Sequence, residues 1–233
     1  APPSGGHGLR QLHHGSAEES QGSGSGGRSR CGLRCNNFGS TVGQSGDYQG
    51  THLRYPIIYG PRQLRPPEWF VIRRILDGRD YIVLPDSGLS MITRGYSENM
   101  AAAVLCAVDN PAISAGQIYN CGDVHQLTLA QWVEVIADAM GGSLRVHSVP
   151  GPLAYSARDL MISRRTSHHQ LFDMHKIRAE LGYEDKVPVL EALASTVRYY
   201  KSSPPEETDE IKVNLDAHYA SEDDMLKIVE ILY

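Results

Sequence analysis

Apolar residues fall into a regular order only after about residue 50. Leu53, Tyr55, Ile57 and Ile58 supply the aromatic and β-branched content of a short, half-buried strand. Pro56 lacks a backbone donor, so regular pairing should end near it, and Gly60-Pro61 marks a turn. Pro66-Pro67-Glu68 opens a helix, with proline and an acid in the first turn. Trp69, Ile72, Ile75 and Leu76 share one face of it, and Gly78 suits its end. Residues 81–84 read as a strand closed by Pro85. Arg94-Gly95-Tyr96 precedes a second helix with Ser97 as N-cap and Glu98 in the first turn. Its expected apolar face is Met100 or Ala101 with Val104, Leu105 and Val108, and Asn110-Pro111 stops it.

The second half continues the alternation. Residues 117–121 read as a strand ending at Gly122. Thr128-Leu-Ala-Gln131 is a capping box, and Leu129, Trp132, Val133, Ile136, Ala139 and Met140 then keep the helical period until Gly141-Gly142. Residues 144–149 alternate as a strand, and residues 173–181 and 189–201 are helical. Residues 203–207 form a linker, and Ser221 opens a last helix carrying Met225, Ile228, Val229 and Leu232. This alternation of strands and helices fits an α/β fold.

Residues 1–50 show neither period. They hold 13 of the chain's 23 glycines and eight serines, too little apolar surface to offset the entropy of ordering. The expected division is therefore a disordered Gly/Ser-rich arm over 1–47, a folded region over 48–202, and a linker with a helix over 203–233. Within the arm, residues 22–27 match G-x-G-x-x-G and Asp47 follows about 20 residues on. A dinucleotide loop needs a strand before it and a helix after it, so that helix amides meet the pyrophosphate. Residues 17–21 and 28–32 supply neither, so the stretch reads as a flexible tract. Gly39-Ser40-Thr41-Val42-Gly43 likewise lacks the strand and helix of a nucleophile elbow. The arm is Gly/Ser/Arg/Cys/His-rich and free of lysine, the composition a GC-rich gene gives in the wrong frame.

Composition narrows the function classes. A net charge of -5 and a pI near 6.1 argue against a nucleic-acid surface. No apolar run approaches the roughly 18 residues of a membrane span, and no leader pattern is visible. Four scattered cysteines suggest a reducing, cytoplasmic setting. Cys31-x-x-x-Cys35 has no second ligand pair, and His13-His14 lies far in sequence from His168-His169, so no metal site is expected.

Five segments carry a resemblance. Leu-Arg-Tyr-Pro-Ile-Ile-Tyr-Gly-Pro-Arg at 53–62 is similar to the "R-P-x-x-x-Y-G-P" segment of the NAD-dependent epimerase/dehydratase family, the extended short-chain dehydrogenases. In the same order, 115–122 is similar to its "a-G-x-x-Y-N-x-G" strand and 128–131 to its "T-x-x-E" helix start. Residues 173–183 are similar to "D-x-x-K-x-x-x-x-L-G", and 197–200 to the closing "t-v-x-w-y" helix. The resemblance implies a C-terminal substrate-binding lobe with a remnant edge of a Rossmann-type parallel sheet. It also implies NAD or NADP as cofactor and a small substrate, possibly a sugar nucleotide.

Carried over by position, Tyr55, Pro56, Ile57 and Ile58 would lie beside the nicotinamide. Arg62, Arg65 and Arg94 would contact an anionic group such as a sugar-nucleotide diphosphate, for which a planar guanidinium is suited. Tyr96, freed by the glycine before it, would face a cleft. Trp69 and Trp132 read as core. Two departures stand out. The family's chemistry uses a Tyr four residues before a Lys, which lowers the phenol's pKa, and this chain has no lysine before Lys176. Arg94-Gly95-Tyr96 also differs from the usual "R-D-f-x-x-V-x-D". The expected outcome is an inactive relative. A non-catalytic substrate-binding or interaction protein and a redox-silent cofactor sensor are the alternatives.

Overall fold

The computed structural model describes residues 49–64, 66–160, 168–206 and 209–232, without the side chains of 158–159, 209–214 and 229–232. The G-x-G-x-x-G match, Asp47, Tyr48, the two N-terminal cysteines, the expected disordered arm and Arg65 lie outside the described residues.

Three parallel strand pairs organise the chain. β1 (His52–Arg54) pairs with β5 (Ile118–Asn120), β2 (Ile57–Tyr59) with β4 (Arg94–Tyr96), and β3 (Tyr81–Pro85) with β6 (Arg145–Val149). The expected break at Pro56 is the place where the chain leaves one pair and enters another. Leu53 sits opposite Tyr119, and six residues later Tyr59 sits opposite Tyr96.

Helix α1 (Pro67–Leu76) starts as expected, with proline at its first positions, Asp77 as C-cap and Gly78 beyond it at φ 73°. It buries a wider face than the period suggested. Phe70, Val71 and Arg74 are buried beside Trp69 and Ile72, whereas Leu76 is exposed. Helix α4 (Leu129–Met140) carries the full capping box, Thr128 accepting from the Gln131 amide at 3.2 Å and Gln131 accepting from the Thr128 amide at 2.9 Å. Gly141 ends it in the left-handed region, at φ 78°. Helices α5 (His175–Leu181) and α6 (Val189–Ser202) also stand where the sequence places them.

The second helix departs from expectation in its cap and in its buried face. Arg94-Gly95-Tyr96 is a buried strand, and α2 (Ser97–Asp109) follows it with Tyr96, not Ser97, as N-cap. The large residues Val104, Leu105 and Val108 of α2 are exposed, and the buried side is Asn99, Met100, Ala102, Ala103 and Ala107. Small residues let this helix sit close to its neighbours; a Cβ on Gly95 would stand 2.6 Å from the Met100 sulfur. After Asn110 the chain makes one more helical turn, α3 (Pro111–Ser114), before β5.

The last helix, α7 (Asp209–Leu232), begins before Ser221, which lies inside it. Ile228 is exposed, while the acid Glu222 is fully buried. Glu222 meets the fully buried Arg74 of α1 at 2.8 Å, while Leu215, Tyr219 and Leu226 of the same helix pack against the apolar core. Arg79, Tyr81 and Asp223 extend the same network.

Two apolar cores result. The larger joins α1, β3, α4 and α6 around Trp132, Ile72, Ile82 and Leu193. The smaller joins α2, β5 and α5 around Met100, Tyr119, Cys121 and Ile177.

Candidate functional site

β4 places Arg94 at the heart of the candidate site. Its side chain turns inward, only 5% exposed, and its guanidinium carbon lies 4.0 Å from the centre of the Trp132 ring of α4. This is a cation–π stack on the most favourable aromatic face. Tyr59 of β2 packs edge-on against Trp132 at 5.0 Å and lies tilted by 48° against Tyr96 at 5.4 Å. The aromatic trio is a rigid wall that fixes the arginine's direction.

Polar groups collect around that wall. Asp123, buried in the loop after β5, accepts at Oδ1 from the Tyr96 amide at 2.9 Å and from Asn99 Nδ2 at 2.9 Å. Asn99 in turn exchanges two hydrogen bonds with the Val187 backbone, at 3.0 and 2.9 Å. The pair ties the start of α2 to the segment before α6. Oδ2 of Asp123 and the hydroxyl of Tyr59 lie near each other outside hydrogen-bond geometry. Burial pushes the Asp123 carboxyl above its ordinary range, opposed by the bonds from Asn99 and Tyr96.

Glu68, in the first turn of α1, completes the cluster. It is fully buried, and neither carboxylate oxygen has a hydrogen-bond partner in another residue. Burial lifts it to about 7, against the pull of its own amide and of Arg94. Arg94 is pushed down to about 10 by burial, with Glu68 opposing. Nε of Arg94 and Nε1 of Trp132 also lack partners. Arg94, Asp123 and Trp132 border a cavity of about 10 Å³ with Ile92, His125 and Gln126. That is the room one water molecule needs. His125 and Gln126 line it from the loop after β5.

The other expected site residues are scattered. Tyr55, Ile57 and Ile58 lie at the surface, 37%, 39% and 39% exposed, with Pro56 half-buried between them. Arg62 is exposed in a left-handed turn at φ 66°. Tyr96 is corrected: it does not face a cleft but is 2% exposed, held by the ring of Tyr59, with its hydroxyl 3.3 Å from Glu98. Of the two expected anion contacts among the described residues, Arg94 is buried among polar groups and Arg62 is exposed. Trp69 and Trp132 are both buried, as read from the sequence. No group of three or more metal-type ligands occurs among the described residues. No described helix is long and apolar enough to cross a membrane.

Sequence reasoning missed Glu68, Asn99 and Asp123. Glu68 looked like an acid favouring a helix start, and nothing local marks it as buried. Asp123 follows the Tyr-Asn-Cys-Gly strand end, and its partner Asn99 lies 24 residues earlier.

No protein-family model matches the chain. Among curated proteins, it is 27% identical over 150 residues to a dTDP-glucose 4,6-dehydratase of Actinoplanes sp., covering 62% of this chain and 42% of that protein. It is 25% identical over 147 residues to a UDP-D-apiose/UDP-D-xylose synthase of Oryza sativa subsp. japonica, covering 62% and 37%. The chain resembles part of an NAD-dependent epimerase/dehydratase. Among solved structures, this epimerase/dehydratase-like chain matches UDP-glucose 4-epimerase of Thermotoga maritima, solved with UDP-glucose, at a TM-score of 0.50 and 22% identity, covering 65% of this chain and 45% of that one. It matches UDP-glucuronic acid 4-epimerase of Bacillus cereus, solved with UDP-glucuronic acid and NAD, at 0.51 and 18%, covering 64% and 44%. These likenesses show the shared α/β fold. The epimerase/dehydratase-like chain spans about two fifths of the length of these curated relatives.

Proposed function

We propose that this chain is the sugar-nucleotide-binding part of an NAD(P)-dependent epimerase or dehydratase, and that Arg94 receives the diphosphate. The observation that carries the reading is a buried guanidinium, braced on Trp132, whose Nε has no partner and which borders a cavity. Such a group recognises a diphosphate by charge-assisted hydrogen bonds in a site of low dielectric. The curated relatives act on nucleotide sugars by name, which gives the anion its class. A second cavity nearby contains Glu184 and Asp185 beside Arg178 and His125, and this mixed charge suits a diphosphate less well.

The residues present do not fit the whole cofactor. Among the described residues no glycine-rich turn joins a strand to a helix start, the arrangement that cradles a pyrophosphate. Tyr-x-x-x-Lys occurs nowhere in the 233 residues. This chain alone is therefore expected to be inactive. The exposed Tyr55, Ile57 and Ile58, and Val104, Leu105 and Val108 of α2, are apolar surface that a cofactor-bearing part would cover.

Calorimetric titration of the 233-residue protein with UDP-glucose, and separately with NAD and NADP, tests the reading. Saturable UDP-glucose binding without turnover is expected, with weak or absent dinucleotide binding. Failure to bind UDP-glucose or dTDP-glucose contradicts it.

A further inference from the structure

The second cavity, of about 240 Å³, opens where the loop after β5 meets α5 and the segment between α5 and α6. Val124 and His125 line it from the loop, Arg178 from α5, and Glu184, Asp185 and Pro188 from the segment. It adjoins the Arg94 cavity. Along the loop, Asp123 and Gln126 line the Arg94 cavity, Val124 lines the second one, and His125 lines both. Two spaces that share a residue, and are otherwise lined by its immediate neighbours in the chain, lie side by side.

The walls of this cleft are fixed by bonds that leave two of its charges free. Asp185 accepts from the Val124 amide at 2.8 Å through Oδ2 and from the Tyr183 hydroxyl at 3.1 Å through Oδ1. The bonds between Asn99 and the Val187 backbone hold the chain just before Pro188. Arg178 and Glu184 are exposed, and their side chains make no hydrogen bond or ion pair among the described residues. A guanidinium only donates and a carboxylate only accepts. Placed around one space they select no net charge. They suit a neutral group whose polar atoms both donate and accept, and a ring of hydroxyls is such a group. The volume lies below the roughly 300–1,000 Å³ of pockets that enclose a drug-sized ligand, which leaves room for one ring rather than a whole sugar nucleotide.

We propose that this cleft takes the neutral sugar ring of the nucleotide whose diphosphate meets Arg94, with Arg178 donating to the ring hydroxyls and Glu184 accepting from them. This rests on the diphosphate reading of Arg94. The sugar is joined to its diphosphate through a single oxygen, so the two need adjacent spaces, and His125 borders both. The nucleoside, on the far side of the diphosphate, then lies outside the cleft. Arg178 and Glu184 are thereby the residues that sense which hydroxyls the sugar carries, and the fixed walls spare the ligand the cost of ordering them.

Calorimetric titration of the 233-residue protein with UDP-glucose and with UDP tests the assignment. Arg178→Gln and Glu184→Gln are each expected to bind UDP-glucose about tenfold more weakly than the wild type, the loss of a hydrogen bond to a charged group, while UDP affinity stays within about twofold. A long-range charge effect would instead move the two variants in opposite directions, and that result overturns the assignment. Equal losses for UDP and UDP-glucose put the nucleoside in the cleft and also overturn it. Unchanged UDP-glucose affinity in either variant overturns the sugar subsite and leaves the Arg94 reading standing. Absence of binding of both ligands to the wild type overturns both. Both side chains are exposed, so the variants are expected to melt with the wild type.

Discussion

Arg74 and Glu222 form a 2.8 Å ion pair in which both side chains are fully buried, 148 residues apart in sequence. A buried pair is expensive to assemble, yet removing one partner strands the other charge without water. Arg74 keeps a bond to the Phe70 carbonyl at 2.9 Å, so the loss would not be total. Glu222→Gln is expected to lower unfolding free energy by about 3–5 kcal/mol in urea denaturation. A change below about 1 kcal/mol would mean that α7 is seated by other contacts.

The Tyr200 hydroxyl closes the Gly60-Pro61 turn. It donates to the Gly60 carbonyl at 3.0 Å and accepts from the Gln63 amide at 3.1 Å. Gly60 is itself constrained, at φ 135°, with a Cβ there standing 2.7 Å from the Ser97 oxygen. Tyr200→Phe removes both hydrogen bonds and keeps the ring, so a loss of about 1–3 kcal/mol is expected. Thermal unfolding at fixed protein concentration measures it, and an unchanged midpoint would contradict the role.

Glu68 also makes stability depend on pH. Its ordinary value is 4.5, and folding raises it to about 7. Below 4.5 the group is protonated in both states. As pH rises from there to about 7, the unfolded chain releases its proton first, so this group's contribution to stability falls, and the penalty is constant above. Glu68→Gln is expected to gain on the wild type between pH 4.5 and 8, by on the order of 3 kcal/mol. Urea denaturation at both pH values measures this, and a difference that does not change with pH would show that the carboxyl does not titrate there.

Much of this architecture was legible. The Thr128 capping box, the break at Pro56 and the buried tryptophans each follow from local chemistry that tertiary context reinforces. The face of α2 was not. Val104, Leu105 and Val108 form one helical stripe and Met100, Ala103 and Ala107 another. Periodicity shows that a stripe exists, but not which one meets the core when small residues allow close packing. Glu222 was hidden for a different reason. Acids after Ser221 resemble a helix start, and the arginine that buries Glu222 lies far away in α1. In the candidate site, Arg94 is singled out by its position in the family resemblance although Arg94-Gly95-Tyr96 departs from the usual pattern, while Glu68 and Asp123 acquire meaning only from neighbours brought in by the fold.

The arm over residues 1–47 makes a prediction about the gene. Its glycine, serine, arginine and histidine content without lysine fits out-of-frame reading of GC-rich DNA. Translating the other two frames ahead of residue 48 is expected to yield a Tyr-x-x-x-Lys. If neither frame does, the arm is a genuine part of this protein.

Arg94 as the receiver of a sugar nucleotide's diphosphate is the proposal on which the site stands. The most direct measurement compares UDP-glucose binding by calorimetry in the wild type and in Arg94→Gln, with thermal melts showing that both are folded. Loss of a charge-assisted contact predicts at least about tenfold weaker binding in the variant. Equal affinity in the two proteins would contradict the account.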